Sequence, residues 1–405
     1  MKILLVNKYF YLKGGAEQVM FDTADILLEK GHEVSFFSME HPNNKTTEYS
    51  NYFVSNVDFN RREIAHAGKA AMRILYSFEA KQNIDRLIQT FRPDIAHLHN
   101  IYHQISPSII HSLKKAGVPI VMTLHDYKVV CASYSMLADG SICEACRYQK
   151  YYYCFYRSCV KASRKKSLLN TVEMYLHHKL LHIYDMVDVF ISPSQFLIEK
   201  MNFMGFKFKI ERVPNFIDSS RFVPEYITNG KSISYIGRLS SEKGIDLLIN
   251  AMCNIDLTLK IIGEGPLKSE LQAKVKRAGA NNIVFMGFMS GADLKEEIRK
   301  SLFTVIPSIC YENYPLSVIE SFALGKPVVG ARIGGIPELV KDNVTGYTFN
   351  PFDSSDLREK IMKLAADPES IVQMGKNARN IIEKELNPNK HYELLIRAYN
   401  LARGC

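Results

Sequence analysis

The sequence predicts an α/β protein of two Rossmann-like, doubly wound domains facing each other across a cleft. Three observations predict it. The 405 residues are too many for one ordinary core, so two domains are expected. Short apolar runs alternate with helical patterns, as in parallel sheets covered by helices on both faces. The alternation then breaks and restarts: Pro214 and Asn215 interrupt it within Arg212–Phe222, and a fresh strand begins at Lys231. The expected units are residues 1–212 and 219–388, with a last helix over 389–405.

In the first half, Lys2–Asn7 (KILLVN) reads as a buried parallel strand. Gly14 and Gly15 form a loop, either a tight turn or a place where backbone approaches a ligand. In the helix that follows, Val19, Met20, Ala24, Leu27 and Leu28 share a face, and Gly31 ends it. His32–Ser38 (HEVSFFS) closes a strand, loop, helix, strand unit. The pattern G-x-G-x-x-G is absent, which argues against a nicotinamide cofactor. Residues 42–80 read as an irregular insertion with a helix near Glu63–Phe78. A later strand ends in His97 and His99, and the strand in VPIVMTLHDY runs into His125 and Asp126. The second half opens with SISYIGR as a strand and SSEKGIDLLINAM as loop and helix. LTLKIIGEG is a strand and loop, Leu267–Ala278 a helix, NIVFMGF a strand, and SLFTVIPS a buried strand. Beyond Gly325 a strand, a Gly-Gly turn into a helix and a short strand precede the helices Asp356–Ala366 and Ile371–Glu385.

The chemistry collects in Tyr311–Gly330 (YENYPLSVIESFALGKPVVG). Glu312 lies in a loop after a strand and Glu320 inside the next helix. Pro315 suits the first turn of that helix, where its missing N–H costs nothing. The amides around Tyr314, Leu316 and Ser317 are then left for an anion. His125, Arg238, Lys243, Glu264 and Glu312 all follow strand ends, the edge of such sheets where ligands bind. Arg238 and Lys243 bring two cations to a helix start, as a diphosphate requires. Aspartate pairs one residue apart, a common metal-holding pattern for nucleotide sugars, are absent. The charge of a leaving nucleoside diphosphate therefore falls to Arg238, Lys243 and the helix amides, with no metal. His125, beside Asp126, is placed as a general base, as a group that orients an acceptor hydroxyl, or as a histidine satisfied by backbone.

Formal net charge is +9. Between Arg147 and His182 the lysines and arginines face a single acid, Glu173. No nucleic-acid motif accompanies this stretch, so an anionic membrane surface is the expected partner, against the alternative of a solvated basic face. No run of 18 apolar residues spans a membrane, and MKILLVNKYF reads as a strand and not a signal peptide, so a cytoplasmic location is expected. Five of the eight cysteines crowd into Cys131, Cys143, Cys146, Cys154 and Cys159. Cys143 and Cys146 have zinc-knuckle spacing, and Cys154 and Cys159 would complete four thiolates. A structural zinc and a set of reduced thiols both fit, while disulfides do not suit a reducing compartment.

Taken together, the Gly14-Gly15 loop, Thr123–Tyr127, Tyr235–Asp246, Ile261–Pro266, Glu312–Val329, Gly334–Val340 and Asn343–Phe349 resemble retaining glycosyltransferases of family 4, which have the GT-B architecture. The motifs cover nearly the whole chain in order. The resemblance implies that Arg238 and Lys243 bind the donor diphosphate and Glu320 the ribose hydroxyls. Glu312 and the backbone of Asn313, Tyr314, Pro315 and Leu316 hold the donor sugar, and Phe288 and Met289 lie against the base. Gly14, Gly15, Gly237 and Glu264 line the donor site, and His125 contacts donor sugar and acceptor. It also implies a C-terminal helix that crosses back to the first domain, and a glycan or polyprenyl-linked acceptor in envelope polysaccharide assembly. The sequence departs from the family at Asn313, where a glycine is common; this adds a side chain near the sugar. A nucleotide-sugar 2-epimerase of the same fold and a non-catalytic nucleotide-sugar-binding protein are the alternatives.

Overall fold

The computed structural model describes residues 1–58, 64–226 and 229–404. Strands β1 (Lys2–Val6), β2 (Glu33–Phe37), β3 (Ile95–Leu98) and β4 (Ile120–Thr123) begin the first sheet. A small hairpin, β5 (Leu137–Ala138) and β6 (Ser141–Ile142), stands apart before β7 (Val189–Ser192) and β8 (Ile210–Arg212) complete it. The order is β2-β1-β3-β4-β7-β8, all parallel. The second sheet holds β9 (Ser232–Ile236), β10 (Thr258–Ile262), β11 (Ile283–Gly287), β12 (Thr304–Ile306), β13 (Val328–Ala331) and β14 (Gly346–Phe349). Its order, β11-β10-β9-β12-β13-β14, is the doubly wound 3-2-1-4-5-6 arrangement. In such sheets the order reverses at one crevice, here between β9 and β12, and ligands bind there. In the first sheet the reversal lies between β1 and β3.

The strand period of two divides the first core. Leu4 and Val6 of β1 enter one hydrophobic layer, while Ile3 and Leu5 enter the other. That second layer also contains Leu395, Ala398 and Tyr399, so the C-terminal helix Pro388–Arg403 covers the first domain's sheet. Helix starts follow the side-chain chemistry. Ser77, Ser163, Ser194, Asp353, Asp367 and Asn387 each accept a hydrogen bond from a first-turn amide.

The insertion is more regular than its composition suggests. The helix expected near Glu63–Phe78 is present as Ile64–Leu75, and the next helix, Phe78–Phe91, starts where the Ser77 side chain accepts from the amide of Ala80. Glu63 lies outside the described residues. Among those described, no helix is long and apolar enough to cross a membrane.

The basic region is packed onto the first domain, with Cys146, Tyr151, Cys154 and Met174 in its core. Its one acid, Glu173, is fully buried and accepts from Lys128 Nζ at 2.7 Å, which is itself 1 % exposed. Burial by itself would raise the Glu173 carboxyl, but Lys128 and then His103 carry it well below its ordinary value. This contribution to stability is present above the unfolded carboxyl's pKa and is lost as pH falls through the folded one. Removing one member of a buried pair leaves an uncompensated charge. Lys128→Met should therefore lower stability by about 3–5 kcal/mol in denaturant unfolding at pH 7. A loss under about 1 kcal/mol would show that the pair does not hold this region down.

Candidate active site

Two loops meet at the switch point of the second sheet. Gly244 has φ +66°, and a Cβ there would lie 1.9 Å from the Pro307 carbonyl oxygen. Only glycine permits this approach without moving backbone. The loop after β9 thereby lies against the loop after β12, and Ile309 N donates to Glu242 O at 3.0 Å. Lys243 Nζ then donates to Glu312 Oε1 at 2.6 Å, and Ser308 Oγ donates to the same oxygen at 2.6 Å. Burial pushes the Glu312 carboxyl up, but the charge and hydrogen bond of Lys243 outweigh it and hold the carboxyl below its usual range. Burial likewise works against the Lys243 ammonium, yet Glu312 raises it above its ordinary value.

The Gly334-Gly335 turn supports the acidic loop from behind. Gly335 N donates to Glu312 O at 2.7 Å, and a Cβ on Gly335 would fall 1.8 Å from Asn313 O. The doubled glycine signals a turn in the sequence, but its part in holding Glu312 has no local signal.

The helix Leu316–Ala323 starts one residue later than expected. Pro315 sits at the N-cap with ψ 122°, and its carbonyl accepts from Val318 N at 3.1 Å. The amides of Leu316 and Ser317 make no hydrogen bond among the described residues. Opposite, Gly14 caps the helix Gly15–Glu29 without a side chain, and a Cβ on Gly15 would lie 3.2 Å from Leu316 Cδ1. Two helix N-termini, each positive, thus converge on the cleft. Arg238 is exposed there, its guanidinium without a hydrogen bond or ion pair among the described residues. Gly237 precedes it, and Tyr235 Oη donates to Arg238 O at 3.0 Å.

Within the helix, burial pushes the Glu320 carboxyl up to about 7; Lys295 opposes this and Asp22 adds to it. The side chain is half-buried. At the far end of the site Glu264 pairs with Lys268 at 2.5 Å, Phe288 is 74 % exposed after β11, and Met289 is half-buried.

The acidic loop also reaches the first domain through the Asn313 side chain. Its Nδ2 donates to the carbonyls of Leu124 at 3.0 Å and His125 at 3.4 Å, and its Oδ1 accepts from Ser194 Oγ at 2.6 Å. The side chain is spent on clasping the first domain. The Tyr314 ring is buried in the second core, and its carbonyl accepts from Asn215 Nδ2 at 3.0 Å.

From the first domain, His125 follows β4 beneath that clasp. Its Nε2 lies 2.8 Å from His99 Nδ1, and burial followed by the charge of Lys8 lowers it to about 4, so it is neutral at pH 7. His97 and His99 share a sheet face, with ring centroids 4.3 Å apart. The contact of His99 with His125 has no local signal in the sequence. Among the described residues, no three His, Cys, Asp or Glu side chains are arranged to hold a metal, so the four-thiolate arrangement is not assembled there.

Two opposed doubly wound sheets, with cations and helix amides at the crevice between them, define the GT-B class. Residues 13–221 match the family model described as Glycosyltransferase Family 4, and residues 217–381 match Glycosyl transferases group 1. The chain belongs to the glycosyltransferase family that these models describe. A protein encoded in the cps region of Klebsiella pneumoniae is 26 % identical over 353 residues, covering 84 % of this chain and 87 % of that one. The sucrose-phosphate synthase of Thermosynechococcus elongatus shares the fold with TM-score 0.73 at 17 % identity, covering 98 % of each chain. HepE of Anabaena, solved with UDP and glucose, does so with TM-score 0.68 at 18 % identity, covering 99 % of each.

The Glu320 carboxyl has a pH signature. An acid whose folded pKa exceeds its unfolded one costs stability as pH rises from the unfolded value, near 4.5, to about 7. Glu320→Gln should remove that fall. The variant should gain up to about 3 kcal/mol over the parent at pH 8 and little at pH 4.5, in ligand-free denaturant unfolding. Parallel pH profiles for parent and variant would show an unshifted carboxyl.

Proposed function

We propose that this chain is a retaining, metal-independent glycosyltransferase. It moves a hexose-type sugar from a nucleoside-diphosphate sugar to a glycan or polyprenyl-linked acceptor in cell-envelope polysaccharide assembly. The observation that carries this reading is the Lys243–Glu312 pair set beside an unpaired Arg238 and the free amides of Leu316 and Ser317. These groups offer fixed positive charge where a diphosphate leaves. Glu320, half-buried, accepts from the ribose hydroxyls, and the exposed Phe288 lies beside the base. One oxygen of Glu312 already receives both Lys243 and Ser308, so Glu312 clamps sugar hydroxyls and is a poor nucleophile. Bond breaking then relies on the phosphate-binding groups, and the leaving phosphate takes the proton of the acceptor hydroxyl as that oxygen attacks from the same face. The UDP and glucose found with HepE, and the cps region of the Klebsiella relative, support this donor class and this pathway type.

The enzyme works at the inner face of the plasma membrane. The helix Arg164–Tyr175 exposes Leu168 and Val172 beside Arg164, Lys165 and Lys166, and the neighbouring helix exposes Tyr152 and Tyr156. Exposed apolar side chains among cations suit an anionic bilayer, each cation adding about 1 kcal/mol.

A panel of UDP-, GDP- and dTDP-sugars, read by released nucleoside diphosphate with lipid-linked acceptors, tests the reaction. Arg238→Ala and Lys243→Ala should each cut turnover by about a hundredfold or more with unchanged circular dichroism. Near-normal turnover in both removes the diphosphate assignment. Loss of activity in EDTA that a divalent ion restores overturns the metal-free mechanism, and an epimerised donor formed without acceptor favours the epimerase. Vesicles containing phosphatidylglycerol should bind the protein at low salt and release it at high salt; absence of binding at low salt sinks the membrane reading.

A further inference from the structure

His125 is held on every side but one. Asn313 fixes the carbonyls of residues 124 and 125 from the second domain. The ring lies against His99 with centroids 5.1 Å apart and planes 21° apart, and its Nε2 meets His99 Nδ1 at 2.8 Å. His99 is itself immobilised. It stacks on His97, whose Nε2 meets Thr123 Oγ1 at 2.6 Å and whose Nδ1 meets Tyr399 Oη at 2.8 Å, on the returning C-terminal helix. His125 Nδ1 makes no hydrogen bond among the described residues, and it is not among their buried, unpartnered atoms.

One proton occupies the bond between the two rings, and its position decides what His125 can do. If it sits on His125, then His99 carries its own proton on Nε2. That nitrogen is buried without a partner among the described residues, so it would be an orphaned N–H. If it sits on His99 Nδ1, then His99 Nε2 is only a bare lone pair. Orphaned buried N–H groups are rarer in proteins than under-used acceptors. The tautomer of a histidine is set by the bond its other nitrogen makes. Burial keeps His99 and His125 neutral, so neither ring escapes the choice by taking a second proton.

We propose that His99 is a positioning residue for His125. Its Nδ1–H, donated to His125 Nε2, holds His125 as the Nδ1–H tautomer, so that His125 meets the substrate as a hydrogen-bond donor and not as a base. This rests on the reading above that His125 faces donor sugar and acceptor. It removes His125 as general base, because the only lone pair of its ring is committed to His99. Deprotonation of the acceptor hydroxyl is left to the leaving phosphate.

The test reads the tautomer directly, by long-range 1H–15N correlation on full-length protein labelled at histidine, with His125 assigned from the signal lost in His125→Asn. The parent should show His125 protonated on Nδ1 and bare at Nε2 at pH 7. In His99→Ala the proton should move to Nε2, the nitrogen that isolated neutral histidine favours. In His99→Asn, whose amide nitrogen can stand where Nδ1 stood, it should stay on Nδ1. On any donor that the release assay accepts, His99→Ala should lose about ten- to hundredfold in kcat with little change in donor KM, as when a histidine's orienting partner is removed; His99→Asn should recover most of it. A parent His125 protonated on Nε2 overturns the proposal even if neither variant folds. So does a His99→Ala variant that loses kcat while its tautomer stays unchanged. If no donor is turned over, the glycosyl-transfer reading fails, while the parent spectrum still decides the tautomer.

Discussion

The site depends on one close approach, that of the loop after β9 to the loop after β12 over the bare Cα of Gly244. Without it Lys243 would be a solvated cation and Glu312 an isolated carboxylate at the cleft. With it, each holds the other charged against the pull of burial, and Ser308 takes up a share of the same oxygen. The doubly wound topology makes the approach possible. β9 and β12 are neighbours across the reversal of strand order, so their carboxyl ends open into one crevice.

The same acidic loop also joins the domains. Asn313 reaches the strand end that carries His125, and Tyr311 Oη donates to Glu144 at 2.9 Å. Beyond them Glu338, on the helix after the Gly334-Gly335 turn, accepts from the amides of Gln195 and Phe196 and from Arg212. A carboxylate from one domain thus caps a helix of the other, where the helix dipole favours it. The candidate site and the domain seating therefore share backbone, and a change in one is felt by the other.

Much of this was legible in the chain. Short apolar runs, helical periodicity and glycine and proline punctuation are local signals, and they gave two sheets with nearly correct helix ends. Strand ends followed by His125, Arg238, Lys243 and Glu312 located the ligand edge for the same reason: a residue's place along a strand is local information. The late start of the helix at Leu316 was missed because a proline suits both the N-cap and the first turn.

What no local pattern contained is which side chains meet. Asn313 follows Glu312 in the acidic loop, but that its side chain binds Ser194 and two carbonyls of the first domain is a matter of tertiary structure. Glu173 looked like one acid in a basic stretch and proves to be the buried partner of Lys128, 45 residues away. His97 and His99 lie at a strand end in the sequence, but their contacts with His125 and Tyr399 needed the register of β3 with β4 and the return of the last helix. Patterning therefore settled fold, ligand edge and charge type, since these follow from neighbours in sequence. Only tertiary structure decided pairing, protonation and orientation, since burial and the partner across the cleft set them.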